Sequence, residues 1–251
     1  MNAIIIAAGS GKRISNHMKN IPKSLIEING KSIIHYQIDV IKKNGINNII
    51  VITGKNNEKF SILNDDIHYV NDAEHDKHDI LGSLMEAKDF LKDDVIVLYS
   101  DIIFESKIIQ QMLDSKENIS IAIDMNWEKD YEGRTDHPKS EAENVSISEN
   151  GKILQIKKNI VNNDSSVGEF LGIIKFSNDG SDIFIKKYDE KVEENQSSFH
   201  GAPTILKAYL TDMLQELIEC EIKIKPIFIS GKWSEIDTMQ DLKNAEEKFS
   251  D

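Results

Sequence analysis

Short aliphatic runs alternate with helical spacings over the first hundred residues. Ala3–Ala7 is continuously apolar, and Ile33–Lys43 carries Ile33, Ile34, Gln37, Ile38 and Ile41 at helical intervals. Ile49–Thr53 is apolar again. A polar helix near Asn57–Asn64, a short run Ile67–Val70, a helix over Leu81–Leu91 and the run Val95–Tyr99 follow. Continuous aliphatic strands separated by helices predict a parallel sheet covered on both faces. Ligands of such sheets sit beyond the carboxyl ends of the strands, so chemistry is expected just after each run.

The pattern changes after about Asp124. Asn144–Ser148 and Lys152–Lys158 flank Glu149-Asn150-Gly151, a hairpin signal in which Asn150-Gly151 suits a type I′ turn. A strand over Val167–Phe176, helices near Gly180–Asn195 and Pro203–Cys220, a run Ile222–Ile229 and a last helix from about Thr238 complete the chain. The expectation is an α/β fold: a Rossmann-like, mixed but mostly parallel sheet flanked by helices, with a small β-hairpin lid. With four prolines and no Gly/Ser tract, no linker is marked. Residues 1–251 read as one domain, with a nucleotide-binding half (1–125) and an acceptor-binding half (126–251).

Composition narrows the partners. The 251 residues carry 30 Lys+Arg against 43 Asp+Glu, a formal charge of −13, which argues against general nucleic-acid binding. One cysteine, Cys220, excludes an internal disulfide framework and a Cys-rich zinc site. No run approaches the ~20 apolar residues that span a bilayer, so no membrane is expected. Met1–Ile6 lacks a basic flank and enters a glycine turn, which reads as a first strand rather than a signal peptide. A cytoplasmic protein is expected, and the sequence is silent on oligomeric state.

The candidate chemistry starts at that turn. Ala7-Ala8-Gly9-Ser10-Gly11-Lys12-Arg13 follows the first strand, with Pro22-Lys23-Ser24-Leu25 downstream. Glycines there let backbone N–H groups approach an anion, and Lys12, Arg13 and Lys23 supply charge suited to a triphosphate. A Walker A loop fails on Ile6 and Arg13, and a dinucleotide fingerprint fails on Ile14. An ordinary βα turn with exposed basic residues is the plain alternative.

Two acids stand apart from it: Asp101 after Val95–Tyr99, and Asp237 within Trp233-Ser234-Glu235-Ile236-Asp237-Thr238. Magnesium prefers oxygen ligands and takes one or two carboxylates plus substrate phosphates, which these two can supply. Taken singly, Asp237 reads as a helix N-cap and Asp101 as a loop acid. Asp79 and Ser83 read as helix caps, though Gly82 and Ser83 also offer a close approach and a hydroxyl. The segment Asp130–Val145 mixes Arg134, His137 and carboxylates. Arg134 and His137 suit a phosphonate or phosphate dianion, and Glu143 an amine; a solvated charged loop is the alternative.

Ala-Ala-Gly-x-Gly-x-Arg followed by Pro-Lys-x-Leu resembles the signature of the sugar-nucleotide-type nucleotidyltransferases. The resemblance implies that Ala8, Gly9, Ser10, Gly11, Lys12 and Arg13 hold a triphosphate and that Lys23 neutralises the reacting phosphates, with Lys23 and Arg13 catalytic. It implies Mg2+ on Asp101 and Asp237, with Glu235 at its margin, and nucleobase contacts from Gly82 and Ser83. The Gly133–Val145 string, with Gly168-Glu169-Phe170-Leu171-Gly172 and Ala208–Leu217, resembles the cytidylyltransferases of phosphonate biosynthesis and the related phosphocholine cytidylyltransferases. That likeness implies transfer of CMP from CTP to 2-aminoethylphosphonate or 2-hydroxyethylphosphonate, with Arg134, His137, Glu143, Glu169 and Asp212 binding the acceptor. Phosphocholine or a sugar-1-phosphate as acceptor, a non-catalytic nucleotide-binding regulator and a nicotinamide oxidoreductase are the alternatives, the last opposed by Ile14.

Overall fold

The aliphatic runs become the centre of a nine-stranded sheet in the computed structural model, which describes residues 1–9, 11, 14, 21–63, 66–160, 166–194 and 197–250. The first half comprises β1 (Asn2–Ala7), β2 (Glu27–Ile28), β3 (Lys31–Ser32), α1 (Ile33–Lys43), β4 (Asn48–Thr53), β5 (Ile67–Asn71), α2 (Ile80–Glu86) and β6 (Val95–Tyr99). Then come β7 (Ile102–Phe104), α3 (Ser106–Asp114), β8 (Ile119–Asp124), β9 (Glu143–Ile147), β10 (Ile153–Lys158), β11 (Ser166–Phe176) and α4 (Asn178–Glu194). The last elements are α5 (Leu210–Glu219), β12 (Lys225–Phe228), β13 (Trp233–Glu235) and α6 (Met239–Lys248).

The strand order is β10-β9-β11-β6-β1-β4-β5, with β8 pairing β11 and β12. The β6-β1-β4-β5 half is parallel, as continuous burial predicts, and β11 runs antiparallel to β6, β8 and β9. Alternation along β1 sends Ile4 and Ile6 into one apolar layer with Leu81, Phe184 and Leu214, and Ala3 and Ile5 into the other with Ile38 and Ile109. Helices therefore cover both faces. Each such isoleucine stabilises the fold by about 1.5–3 kcal/mol relative to exposure.

One break in this regularity creates the cleft. β11 pairs with β6 over Ile173–Phe176 and with β9 over Ser166–Glu169, and its register shifts between Phe170 and Ile174. Gly172 lies in that shift at φ +73°, where a Cβ would come 2.4 Å from the Tyr99 ring. Glycine thus lets β11 bend around Tyr99 and pass from one neighbour to the other. A gap opens where β6 ends and β9 begins.

Several elements differ from expectation, each for a local reason. The hairpin turn is not type I′: Gly151 has positive φ but Asn150 does not. The Gly151 N–H donates to the Ser148 carbonyl at 2.9 Å, and Ser148 pairs with Lys152 around a three-residue loop, a type I turn with a glycine bulge. The hairpin is fused to the sheet through β9–β11, and Gln215 of α5 accepts the Ile156 N–H at 2.9 Å. Helix Pro203–Cys220 begins only at Leu210. The Leu206 and Ala208 carbonyls accept the Asp79 and Leu81 N–H groups at 2.9 and 3.1 Å, serving the start of α2 instead. The segment near Asn57–Asn64 is a 3-10 turn over Asn57–Ile62, and Leu81–Leu91 divides into α2 and a 3-10 turn over Lys88–Leu91. Among the described residues no helix is long and apolar enough to cross a membrane.

Helix α6 starts on a capping box: the Thr238 hydroxyl accepts the Asp241 N–H and the Asp241 carboxylate accepts the Thr238 N–H. Thr238→Ala is expected to cost about 1 kcal/mol and to lower the Tm by roughly 3 °C. Calorimetry checks this; an unchanged Tm would mean that the cap contributes nothing.

Candidate active site

A short ladder outside the main sheet assembles the site. β13 pairs antiparallel with β7, Glu235 opposite Ile102, and the Ile236 N–H donates to the Asp101 carbonyl at 2.9 Å. Asp101 immediately precedes β7 and Asp237 follows β13 by two residues, so the ladder brings the two aspartates together. Thr238 is the N-cap of α6. The helix-cap reading of Asp237 therefore falls, and its side chain is left for other work.

That work centres on Lys23. Pro22 opens a 3-10 turn over Lys23–Leu25, and the Lys23 ammonium donates to Asp101 Oδ2 at 2.7 Å and to Asp237 Oδ1. Burial alone would push the lysine pKa down; the carboxylates of Asp101, Asp237 and Glu235 more than offset that and hold it above its ordinary value. Lys23 remains a cation between two acids. Asp101 Oδ1 is buried without a hydrogen-bond partner, which leaves one oxygen open to a further cation.

The glycine turn ends β1 on the same side. Ala8 is buried, a Cβ on Gly9 would meet nothing within 4 Å, and Gly11 at φ +50° would bring a Cβ to 2.9 Å from Lys23 Cβ. Gly11 thus clears the path of the Lys23 stem. Ser10, Lys12 and Arg13 lie outside the described residues. Gly82 and Ser83 are packed inward: a Cβ on Gly82 would strike the Leu206 carbonyl at 2.7 Å, and the Ser83 hydroxyl donates to Asp72 Oδ2 at 2.7 Å. Asp72 also accepts the Glu74 N–H at 3.0 Å and faces His78 Nδ1 at 3.0 Å. The close approach at Gly82 therefore serves helix packing, and the Ser83 hydroxyl is committed to fixing the 72–83 loop. Asp79, not Ser83, stands at the N-cap of α2, where its side chain makes no capping hydrogen bond.

Beside the aspartates, the gap between β6 and β9 forms a cavity of about 130 Å3. His137, Glu143 and Glu169 line it together with Asp101, Glu235 and Asp237. His137 Nδ1 stands 2.9 Å from Asp237 Oδ2. Glu143 accepts from the Tyr99 hydroxyl at 3.2 Å and the Thr211 hydroxyl at 3.3 Å. The Tyr131 hydroxyl donates to Glu169 Oε1 at 2.6 Å, while Oε2 is buried without a partner.

Two expected acceptor residues do not reach this cavity. The Arg134 guanidinium is tied to Asp241 at 2.5 Å and Glu235 at 3.1 Å, behind the wall. Asp212 accepts the Tyr209 N–H at 2.8 Å in the capping box of α5. Sequence reading missed Tyr99, Tyr131, Lys158 and Tyr209, all lining residues. Tyr99 carried a signal, as the last residue of a buried strand; Lys158 and Tyr209 become neighbours only through the fold.

The lining is anionic, and burial dominates its titration. Burial raises the Glu143 carboxyl pKa to about 7, with Lys158 and the Tyr99 hydrogen bond opposing it only in part. Glu169 is held well above the ordinary range by burial and then by Glu235. Glu235 is raised by burial and by the charges of Asp237 and Asp101. A buried acidic lining of this kind favours protons; a cationic ligand would favour the carboxylates.

Known proteins share this arrangement's framework. Residues 3–225 match the family model of the MobA-like NTP transferase domain. The CTP:phosphoglutamine cytidylyltransferase of Campylobacter jejuni is 33% identical over 260 residues, covering 99% of this chain and 100% of the relative. Among solved structures, the CTP:phosphocholine cytidylyltransferase of Streptococcus pneumoniae superposes with a TM-score of 0.73 at 22% identity over 99% of each chain. The inositol-1-phosphate CTP transferase of T. maritima gives a TM-score of 0.73 at 16% identity, covering 98% and 95%. At those identities the structural likeness is one of fold.

Because the Glu143 pKa is raised in the folded chain, the protein binds a proton there that the unfolded chain releases near pH 4.5. The stabilising contribution is complete below that pH and is lost as pH rises through about 7. Glu143→Gln is expected to be more stable than wild type at pH 8, by roughly 3 kcal/mol at most, with the gap closing toward pH 5. Denaturant unfolding across that range checks it; a constant gap would contradict the assignment.

Proposed function

The chain belongs to the MobA-like NTP transferase family and is a nucleotidyltransferase, and from that premise we propose that it transfers CMP from CTP to a small phosphonate bearing an amine. The observation that carries the reading is the convergence of Lys23 on Asp101 and Asp237 beside an acid-lined cavity. 2-Aminoethylphosphonate is the favoured acceptor over 2-hydroxyethylphosphonate. Its ammonium supplies the donors that the unpartnered Glu169 Oε2 lacks and offsets the charge of Glu143.

In the reaction a phosphonate oxygen attacks the α-phosphorus of CTP, and the bond from that phosphorus to the α,β-bridging oxygen breaks. The products are CMP-phosphonate and pyrophosphate. Transfer of this kind depends on alignment and charge neutralisation more than on covalent catalysis. Lys23, kept protonated by its neighbours, neutralises charge on the α-phosphate. Gly9, Gly11 and Arg13 hold the departing pyrophosphate. The acceptor oxygen is already ionised near neutral pH, so no general base is required, and His137 serves as an acceptor contact.

Mg2+ fits the donor set. Asp101 and Asp237 both reach the Lys23 ammonium, and Asp101 Oδ1 is buried without a partner, an oxygen-rich, incompletely satisfied set that a hard cation would complete. Asp101 and Asp237 would hold it, with Glu235 adjacent. Bound there, it supplies positive charge toward the transferring phosphate.

A second reading follows from the Campylobacter jejuni relative, whose name gives phosphoglutamine as its acceptor. A phosphorylated amino compound of that kind would use the same acidic lining. Phosphocholine cannot donate a hydrogen bond from its quaternary nitrogen and would leave Glu169 Oε2 unsatisfied.

A pyrophosphate-release assay separates these. CTP, UTP, ATP and dTTP are crossed with aminoethylphosphonate, hydroxyethylphosphonate, phosphocholine, phosphoglutamine and glucose-1-phosphate. CTP with aminoethylphosphonate is expected to give the highest kcat/KM, about tenfold or more above hydroxyethylphosphonate. Lys23→Ala is expected to fall by about 10²–10³ in kcat while still unfolding cooperatively. Greatest turnover with glucose-1-phosphate would overturn the acceptor; binding of CTP without pyrophosphate release from any pair would overturn catalysis.

A further inference from the structure

Arg134 belongs to neither the cavity nor the carboxylate pair, yet it touches the supports of both. Its Nε donates to Asp241 Oδ1 at 2.5 Å and its Nη2 to Glu235 Oε2 at 3.1 Å. Its guanidinium lies 4.8 Å from the Tyr131 ring centroid. From each partner a bond leads inward. The other oxygen of Asp241 accepts the N–H of Asp237 at 3.0 Å and the N–H and hydroxyl of Thr238 at 2.8 and 2.9 Å. Tyr131 donates to Glu169, a wall of the acceptor cavity.

The Arg134 side chain is only 7% exposed. Movement of its loop away from α6 would therefore strand a buried guanidinium, and Asp241 with it. Gln240 reinforces the seam, donating to the Gly133 carbonyl at 2.9 Å and accepting the Thr135 N–H at 2.8 Å. Burial opposes the charge on Arg134, and Asp241 and Glu235 outweigh it, so the cation is permanent across the working pH range. Lysine cannot replace it, because one ammonium does not present in-plane donors to two carboxylates while stacking on a ring.

We propose that Arg134 is a positioning residue that locks the acceptor loop to the segment carrying Asp237, so that the cation-binding carboxylate and the acceptor wall are set by one guanidinium. The inference rests on the cation and transferase roles argued above. The loop residues and the start of α6 then behave as one body, and disturbance of either is felt at both. Lys248–Asp130 joins the same loop and helix at 3.0 Å, but it is exposed and screened, and it contributes little.

The test is Mn2+ alone, titrated by electron paramagnetic resonance into wild type, Arg134→Gln, Arg134→Lys and Lys248→Ala, with no substrate present. Removing a group that orients a metal-holding carboxylate typically costs on the order of 10-fold in metal affinity or more. Arg134→Gln is expected to show that loss, Arg134→Lys a smaller one, and Lys248→Ala none. In turnover at saturating Mg2+, both Arg134 variants are expected to raise the acceptor KM and lower kcat, with a smaller effect on the CTP KM. If the Arg134 variants fold and bind Mn2+ as wild type does, the inference is overturned and Arg134 only stabilises the fold. Should Arg134→Gln fail to fold, Arg134→Lys decides on the same readout. Wild type that takes up no Mn2+ would instead defeat the cation reading itself, and pyrophosphate release by wild type reports separately on the transferase reading.

Discussion

A ladder of three residue pairs, Trp233–Glu235 against Ile102–Phe104, holds two carboxylates at one point. Held that close, Asp101 and Asp237 repel each other in a poorly hydrated space. That repulsion is answered by the Lys23 ammonium, which reaches both acids from a turn opened by Pro22. The rest of the site is arranged around this compromise. Burial and the charges of Asp237 and Asp101 raise the Glu235 pKa, and Asp241 is withdrawn into a cap with Arg134 as its counter-charge.

The same crowding separates stability from function. Burial pushes Glu143, Glu169 and Glu235 toward their neutral forms, and a cationic group in the cavity would favour their ionised forms. Sites that bind charge commonly carry such strain, because the groups that will pair with ligand are desolvated before it arrives. The sheet absorbs the cost through long aliphatic strands packed on both faces. Gly172, at positive φ, lets the cavity-lining Tyr99 ring pack directly against β11.

Sequence reading reached the parallel half of the sheet because β1, β4 and β6 are buried on both faces and carry no competing pattern. Lys23, Asp101 and Asp237 are legible as candidates because each lies beside an element with clear punctuation, and the fold brings their side chains together. Sequence reading did not reach the β7–β13 ladder, since three-residue strands carry no usable period. Arg134 and Asp212 look like ligands in a linear string; only the fold shows their charges already answered by Asp241 and by the Tyr209 backbone. Lys158 and Tyr209 are separated by fifty residues of chain and meet only because β10 packs beside α5. The helix expected over Pro203–Cys220 starts only at Leu210 for the same reason: the Leu206 and Ala208 carbonyls are taken by α2.

The central claim is that Asp101, Asp237 and Lys23 form one charge centre for nucleotidyl transfer. Crystals grown with Mn2+ and a non-hydrolysable CTP analogue, measured at the manganese absorption edge, test it most directly. The account predicts an anomalous peak within ligand distance of both aspartates, with the Lys23 ammonium moved from them onto the α-phosphate. A nucleotide bound with manganese contacting neither carboxylate, and Lys23 still clasped between them, would contradict it.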